Sequence, residues 1–251
     1  MHINEADIYS MWGEQTRTEA HSSYEILYPS IFMSHIHERN FQILRSTLQT
    51  YESIEFMQKN LEEKSVTRND FLIVTGLFVN YMASAITLKE STRNITRKPE
   101  LFTLELEQES RQRIEREIKP NAVIKLVEEL RNIISHQSLI IPTLSFTFKK
   151  NSFKAGYAYR VQKLLSNNRL TSSSKDYIAQ LNTKYLYLRP LIDIYHQTAS
   201  SYQNWLLNAT LNKHKKDNPL YWKVRSQISY EWDGDLTPIT HANDGSQINV
   251  E

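Results

Sequence analysis

Residues 121–150 read NAVIKLVEELRNIISHQSLIIPTLSFTFKK, and the change of period along them decides the fold. Val123, Leu126, Val127, Leu130, Ile133 and Ile134 recur mostly at steps of three and four, which marks one buried stripe of an amphipathic helix. Asn121 supplies a cap at its start. Pro142 forbids its continuation much beyond 136–139, because the ring removes a donor and clashes with the preceding turn. TLSFTFKK, 143–150, then alternates in the manner of a strand, and AYRVQKLLS, 158–166, is the expected partner in a small hairpin.

Working upstream, Ile36, Phe41, Leu44, Leu48, Tyr51, Ile54, Met57 and Leu61 mark a long helix over about 35–64. Residues 1–29 show no clean period and read as a loosely structured lead-in with room for a short helix. FLIVTGLFVNYMASAITL, 71–88, is free of charge for 18 residues, the lower limit for a membrane span. Its Thr75, Asn80, Ser84 and Thr87 favour a core or dimer-interface helix instead, capped by Asn69-Asp70. LFTLELEQESRQRIEREIK, 101–119, is charged and helical in its second half, a solvated face. Downstream, TSSSKDYIAQ opens a second long helix that runs through Tyr177, Leu181, Tyr185, Leu188, Leu191, Tyr195, Tyr202 and Leu206, kinked or interrupted at Pro190. The expected fold is all-α: a bundle of about five main helices with a small β-hairpin after the 121–136 helix. Residues 1–225 form one helical domain and 226–251 a flexible tail.

Composition supports that class. Five glycines and seven prolines in 251 residues are too few for a chain built on turns. No cysteine is present, which removes disulfide frameworks, thiol catalysis and thiolate-bound zinc. A net charge of +2 permits an RNA partner without demanding one. The first twenty residues lack a signal-peptide pattern, so a cytoplasmic protein is expected and the Asn94 and Asn208 sequons carry no weight.

The chemistry-bearing group is RNIISH. On a helix Asn132 and His136 share a face, while Arg131 and Ser135 form the neighbouring row. Arg131 and His136 are about 140° apart at ~100° per residue, near enough for the long guanidinium and the imidazole to meet on one phosphate. RNA cleavage without metal needs a base for the 2′-hydroxyl proton and an acid for the leaving 5′-oxygen, and histidine serves either role near neutrality. Arginine supplies the donor fork for the phosphate oxygens. A helix C-terminus favours the imidazolium.

RNIISH, at the end of an apolar helix, resembles the core motif of the HEPN (higher eukaryote and prokaryote nucleotide-binding) family: Arg, four to six residues, then His, often with a polar residue after the Arg. The resemblance implies a helical bundle and a homodimer whose two motifs face one cleft. It also implies metal-independent RNase activity, without cofactor or membrane, in toxin–antitoxin, abortive-infection or other antiphage systems. An antitoxin or defence-system protein is then an expected partner. Arg131, Asn132 and His136 are the positions that match. An early-helix acid described for some members falls near Glu52 or Glu55 without a firm match. The alternative is a non-catalytic HEPN-like module that binds a partner protein or a nucleotide.

Other candidates rank lower. RPLIDIYH, Arg189 to His196, also fits the spacing, but Pro190 interrupts it and no polar residue follows the Arg. KHKK offers Lys213, Lys215 and Lys216 to an RNA backbone, and Ser135 a hydroxyl, although a solvated helix end explains the lysines as well. His35 and His37 point to different faces of a helix, so no metal pair is expected. DGD at 233–235 reads as a turn. The tyrosines fall on helical stripes and read as core.

Overall fold

The computed structural model describes residues 5–63, 68–136, 140–149 and 152–226. In chain order the helices are α1 (Glu5–Gln15), α2 (Glu19–Tyr51), α3 (Ile54–Glu63), α4 (Arg68–Thr96) and α5 (Leu104–Arg113), which passes into a π-helical turn at Ile114–Ile118. Then come α6 (Ala122–His136), strands β1 (Thr143–Lys149) and β2 (Ser152–Arg160), α7 (Val161–Leu165) and α8 (Ser172–Gln180). A short β3 (Tyr185–Tyr187), α9 (Leu188–Tyr195), a second π turn (His196–Ser200), α10 (Ser201–Asp217) and α11 (Pro219–Arg225) complete the described chain. The protein is mostly helical with one small antiparallel sheet, ordered β1-β2-β3.

Several elements depart from the sequence reading, each for a local reason. The lead-in is helical: α2 starts at Glu19 and carries Pro29 inside it. Its buried face holds Tyr24, Leu27, Ser30, Ile31, Ser34, His37, Glu38, Phe41, Leu44 and Leu48, so polar residues interrupt an otherwise regular stripe. Asp70 lies in the first turn of α4, and its carboxylate accepts the Tyr51 hydroxyl at 2.7 Å. That bond and burial push the Tyr51 phenol up to about 12, burial being the larger cause. The hairpin partner is Ser152–Arg160 rather than 158–166; the register pairs Phe146 with Ala155 and Thr143 with Ala158, and the chain turns helical at Val161. The second long helix is broken into α8, β3, α9 and α10. The break expected at Pro190 takes the form of an interruption rather than a kink: Pro190 lies in the first turn of α9, where its missing N–H is not needed. The expected tail at 226–251 lies almost wholly outside the described residues.

The chain divides into two compact units. One comprises 1–36, 87–111 and 201–251, with a core of Leu27, Ile31, Leu88, Ile95, Leu101, Leu207 and Leu211. An aromatic group lies beside it, in which Arg225 donates to the Tyr24 hydroxyl at 2.8 Å and lies 4.2 Å over the Tyr24 ring. The other comprises 37–86 and 112–200 and holds the sheet. Its core joins Leu44 and Leu48 to Val74, Phe78 and Tyr81, then to the α6 stripe and to Leu188, Leu191 and Ile192. Burial of such stripes is the main stabilising term, at about 1.5–3 kcal/mol for each fully buried large apolar side chain. On α4, Val74, Phe78 and Tyr81 are buried while Leu72 and Ile73 stand exposed. By length and composition alone this helix could cross a membrane, with 39% of its apolar window buried.

Candidate functional site

The RNIISH group sits on the last two turns of α6. Asn121 starts the helix, its side-chain oxygen accepting the Val123 N–H at 3.0 Å. The stripe then fixes the rotation of everything after it. Leu126, Leu130 and Ile133 are buried, so Arg131 falls at the rim, half-buried, and Asn132 is exposed. His136 is the final residue of α6. The side chains of Ser135 and His136 lie outside the described residues. From α9 the buried Tyr195 brings its hydroxyl near this turn. Burial raises its phenol well above the ordinary range, Glu128 adds to that, and the Arg131 charge opposes it. Among the described residues no carboxylate lies within ion-pair distance of Arg131.

The second Arg-to-His copy meets a different fate. Glu38 and Arg45 on one face of α2, and Glu52 just past its last residue, recur every seven residues. Across from them His196, Asp193 and Arg189 descend α9 and the start of its π turn. Arg189 donates to Glu52 at 2.5 Å, Arg45 donates to Asp193 at 3.0 Å, and His196 Nε2 lies 2.9 Å from Glu38 Oε2. The signs alternate along both helices, so the antiparallel match makes a three-rung ladder. The His196 rung is the driest and the middle rung the most exposed: the His196 side chain is 4% exposed and that of Arg45 40%. Burial raises the Glu52 carboxyl even though Arg189 pulls it down.

The His196 rung opens into a buried polar cluster. A carboxylate only accepts, so the hydrogen on the short His196–Glu38 contact belongs to His196 Nε2. Gln42 donates to the other oxygen of Glu38 at 2.6 Å. Ser200 bridges His196 Nδ1 at 3.0 Å and His37 Nε2 at 3.1 Å, and the far nitrogen of His37 meets Ser84 at 2.9 Å. Phe41 stacks on the His196 ring at 3.6 Å with an interplanar angle of 5°. His196 therefore ties α2, α4 and α9 together, and its imidazole is closed to a polymeric substrate. His37, read as one of two divergent histidines, belongs to this cluster.

The lysines of KHKK lie in the other unit. Lys213 bonds Asp217 and donates to the Glu100 carbonyl, and Lys215 lies 4.9 Å over the Trp222 ring. Lys216 is exposed. Sequence reasoning missed the ladder, although the heptad of alternating charge on α2 was a visible signal. No family model matches the chain, and no curated protein and no solved structure matches it either.

Proposed function

We propose that the chain is a metal-independent endoribonuclease of the HEPN type, acting as a homodimer, and that it is a toxin or antiphage effector held in check by a partner protein. In this reading its helices form a HEPN-type bundle, with the sheet inserted after the motif helix. One observation carries the choice of site. Of the two Arg-to-His copies, Arg189 and His196 are committed to Glu52 and Glu38, whereas Arg131 stands at the rim with no carboxylate in ion-pair reach among the described residues. A guanidinium in that position suits a phosphate.

In the reaction, one imidazole removes the 2′-hydroxyl proton and the 2′-oxygen attacks the adjacent phosphorus. The phosphorus–5′-oxygen bond breaks, and the leaving oxygen takes a proton from an imidazolium, giving a 2′,3′-cyclic phosphate and a 5′-hydroxyl. His136 and its copy in the second subunit fill these two roles. Arg131 neutralises charge on the non-bridging oxygens, and Asn132 orients them. The test is RNA cleavage in EDTA, with end groups analysed. The parent should leave cyclic phosphate ends, and equal cutting by His136→Ala overturns the assignment.

A second reading, a non-catalytic module that binds a partner protein, is favoured by the exposed Leu72 and Ile73 on α4. Under it no preparation turns RNA over, while Arg131→Ala changes complex formation.

A further inference from the structure

Beside α6 lies a groove of about 350 Å³ that the proposed chemistry does not use. Its floor is apolar. Its walls are Tyr177 from α8 and Leu181 just after it, Tyr185 and Tyr187 from β3, and Ile194 from α9, with Lys154 of β2 at one edge. Leu181 and Ile194 are respectively 39% and 40% exposed, large apolar surfaces left open at the rim. Lys154 lies 4.2 Å over the Tyr187 ring, and Lys184 lies 5.5 Å over Tyr185. No carboxylate is among the lining residues. All of these elements belong to one unit, so the groove is built within a single core.

Flat aromatic walls beside ammonium groups, with acids excluded, match a ligand that is planar and apolar in one part and anionic in another. The volume is at the lower end of the range for small-ligand clefts, about 300–1,000 Å³. A nucleobase with its phosphate has that character, and stacking on tyrosine tolerates any base because each has a π face. Position adds a reason. Val123 in the groove and Arg131 are eight residues apart on α6, about 12 Å along the axis at ~1.5 Å per residue. Leu191 lines the groove, and one turn later Tyr195 lies in electrostatic range of Arg131.

We infer that this tyrosine-walled groove binds a nucleotide of single-stranded RNA flanking the scissile phosphate, with Tyr177 and Tyr185 stacking on the base and Lys154 meeting the backbone. The choice of ligand rests on the ribonuclease reading. It assigns substrate positioning to residues outside the Arg–His motif, and a preference for unpaired over duplex RNA.

The experiment is fluorescence anisotropy with a labelled single-stranded oligouridylate, using full-length protein carrying His136→Ala so that the probe survives. Adding Tyr185→Ala or Tyr177→Ala should weaken binding by about fivefold to 150-fold, the range for one lost base stack. Lys154→Glu, an exposed change that leaves the core untouched, should weaken it and flatten its salt dependence. A duplex of the same length should compete poorly. Unchanged affinity in Lys154→Glu and in a folded tyrosine variant overturns the groove, as does a parent that binds no RNA. If cleavage by the parent persists while groove variants bind normally, the groove falls and the nuclease stands. If groove variants lose binding and the parent never cuts, the groove stands and the nuclease falls.

Discussion

Arg131–His136 and Arg189–His196 are near-identical words in the sequence and opposite objects in the fold. The first lies where an apolar stripe leaves a helix face at the rim, so its arginine meets solvent. The second lies on a helix whose polar face is turned toward the charged heptad of α2. There each basic group finds an acid of the same unit, and the terminal imidazole is sealed behind Phe41. A spacing pattern therefore says little about chemistry until the surface opposite it is known. What makes His196 structural is the presence of Glu38, contributed by a helix 158 residues earlier.

The contrast breaks most sharply in activity. Under the proposed ribonuclease reading, His136→Ala and Arg131→Ala should each lower RNA cleavage by roughly 10²-fold or more, the scale of one acid–base group and of one lost charge-stabilising donor respectively, with melting temperature held. An equal loss of cleavage in a folded Arg189→Ala protein would place the chemistry on the wrong helix. Next in size is His196→Ala, which removes the imidazole from the buried Glu38 carboxylate and should cost about 3–5 kcal/mol in urea unfolding. A loss under about 1 kcal/mol would show that the cluster is wetter than its geometry implies.

Gly156 offers a subtler way to disturb the ladder. Its φ of +138° disfavours any side chain, and a Cβ there would meet Glu52 Cγ at 3.0 Å. Gly156→Ala should therefore destabilise by about 1–3 kcal/mol, as strained positive-φ sites do. A third buried histidine, His214, tests what the acid contributes. It has a carbonyl and an indole where His196 has a carboxylate: Nε2 donates to the Ala20 carbonyl at 2.9 Å and Nδ1 accepts the Trp222 indole N–H at 2.9 Å. Acceptance at Nδ1 requires the neutral ring, and burial lowers its pKa even though the bond to Ala20 pulls it up. The unfolded chain then binds the extra proton first. The His214 contribution is complete above the ordinary histidine value of about 6.5 and is lost as pH falls through the lower folded value. Urea titrations followed by tryptophan fluorescence should show this decline, and His214→Gln should flatten it. Smallest of all, a double-mutant cycle on the exposed Arg45–Asp193 rung should give about 0.2–1 kcal/mol.

The α6 helix and the strand after it were legible because their periods are clean: Leu126, Leu130 and Ile133 are buried as their spacing demands. The first half of α2 was not, because Ser30 and Ser34 occupy core positions and an interior proline suggests a boundary. Strand β3 is three residues long and carries no period of its own; it exists because its backbone pairs with Ala158 to Arg160. Of the candidate site, the rim position of Arg131 and Asn132 followed from the stripe alone. The tyrosine groove did not, since its walls come from α8, β3 and α9, three elements that read as one long helix. Asn182, at a φ of +44°, marks one place where that helix stops.

The two π turns give the chain a property that no single contact confers. In the first, the Lys119 N–H reaches the Ile114 carbonyl at 2.9 Å, closing a ring one residue wider than an α turn. The two widened turns touch within one unit, and Asn121 donates to Thr198 across them at 3.3 Å. Each stretch is thus counted as well as composed. Deleting one residue from 196–200 would restore ordinary winding and leave the later side chains of that helix near their present faces, whereas the same deletion from an α-helical turn would rotate them by about 100°. At that stretch the fold should absorb the loss of a single residue that its α-helical turns cannot.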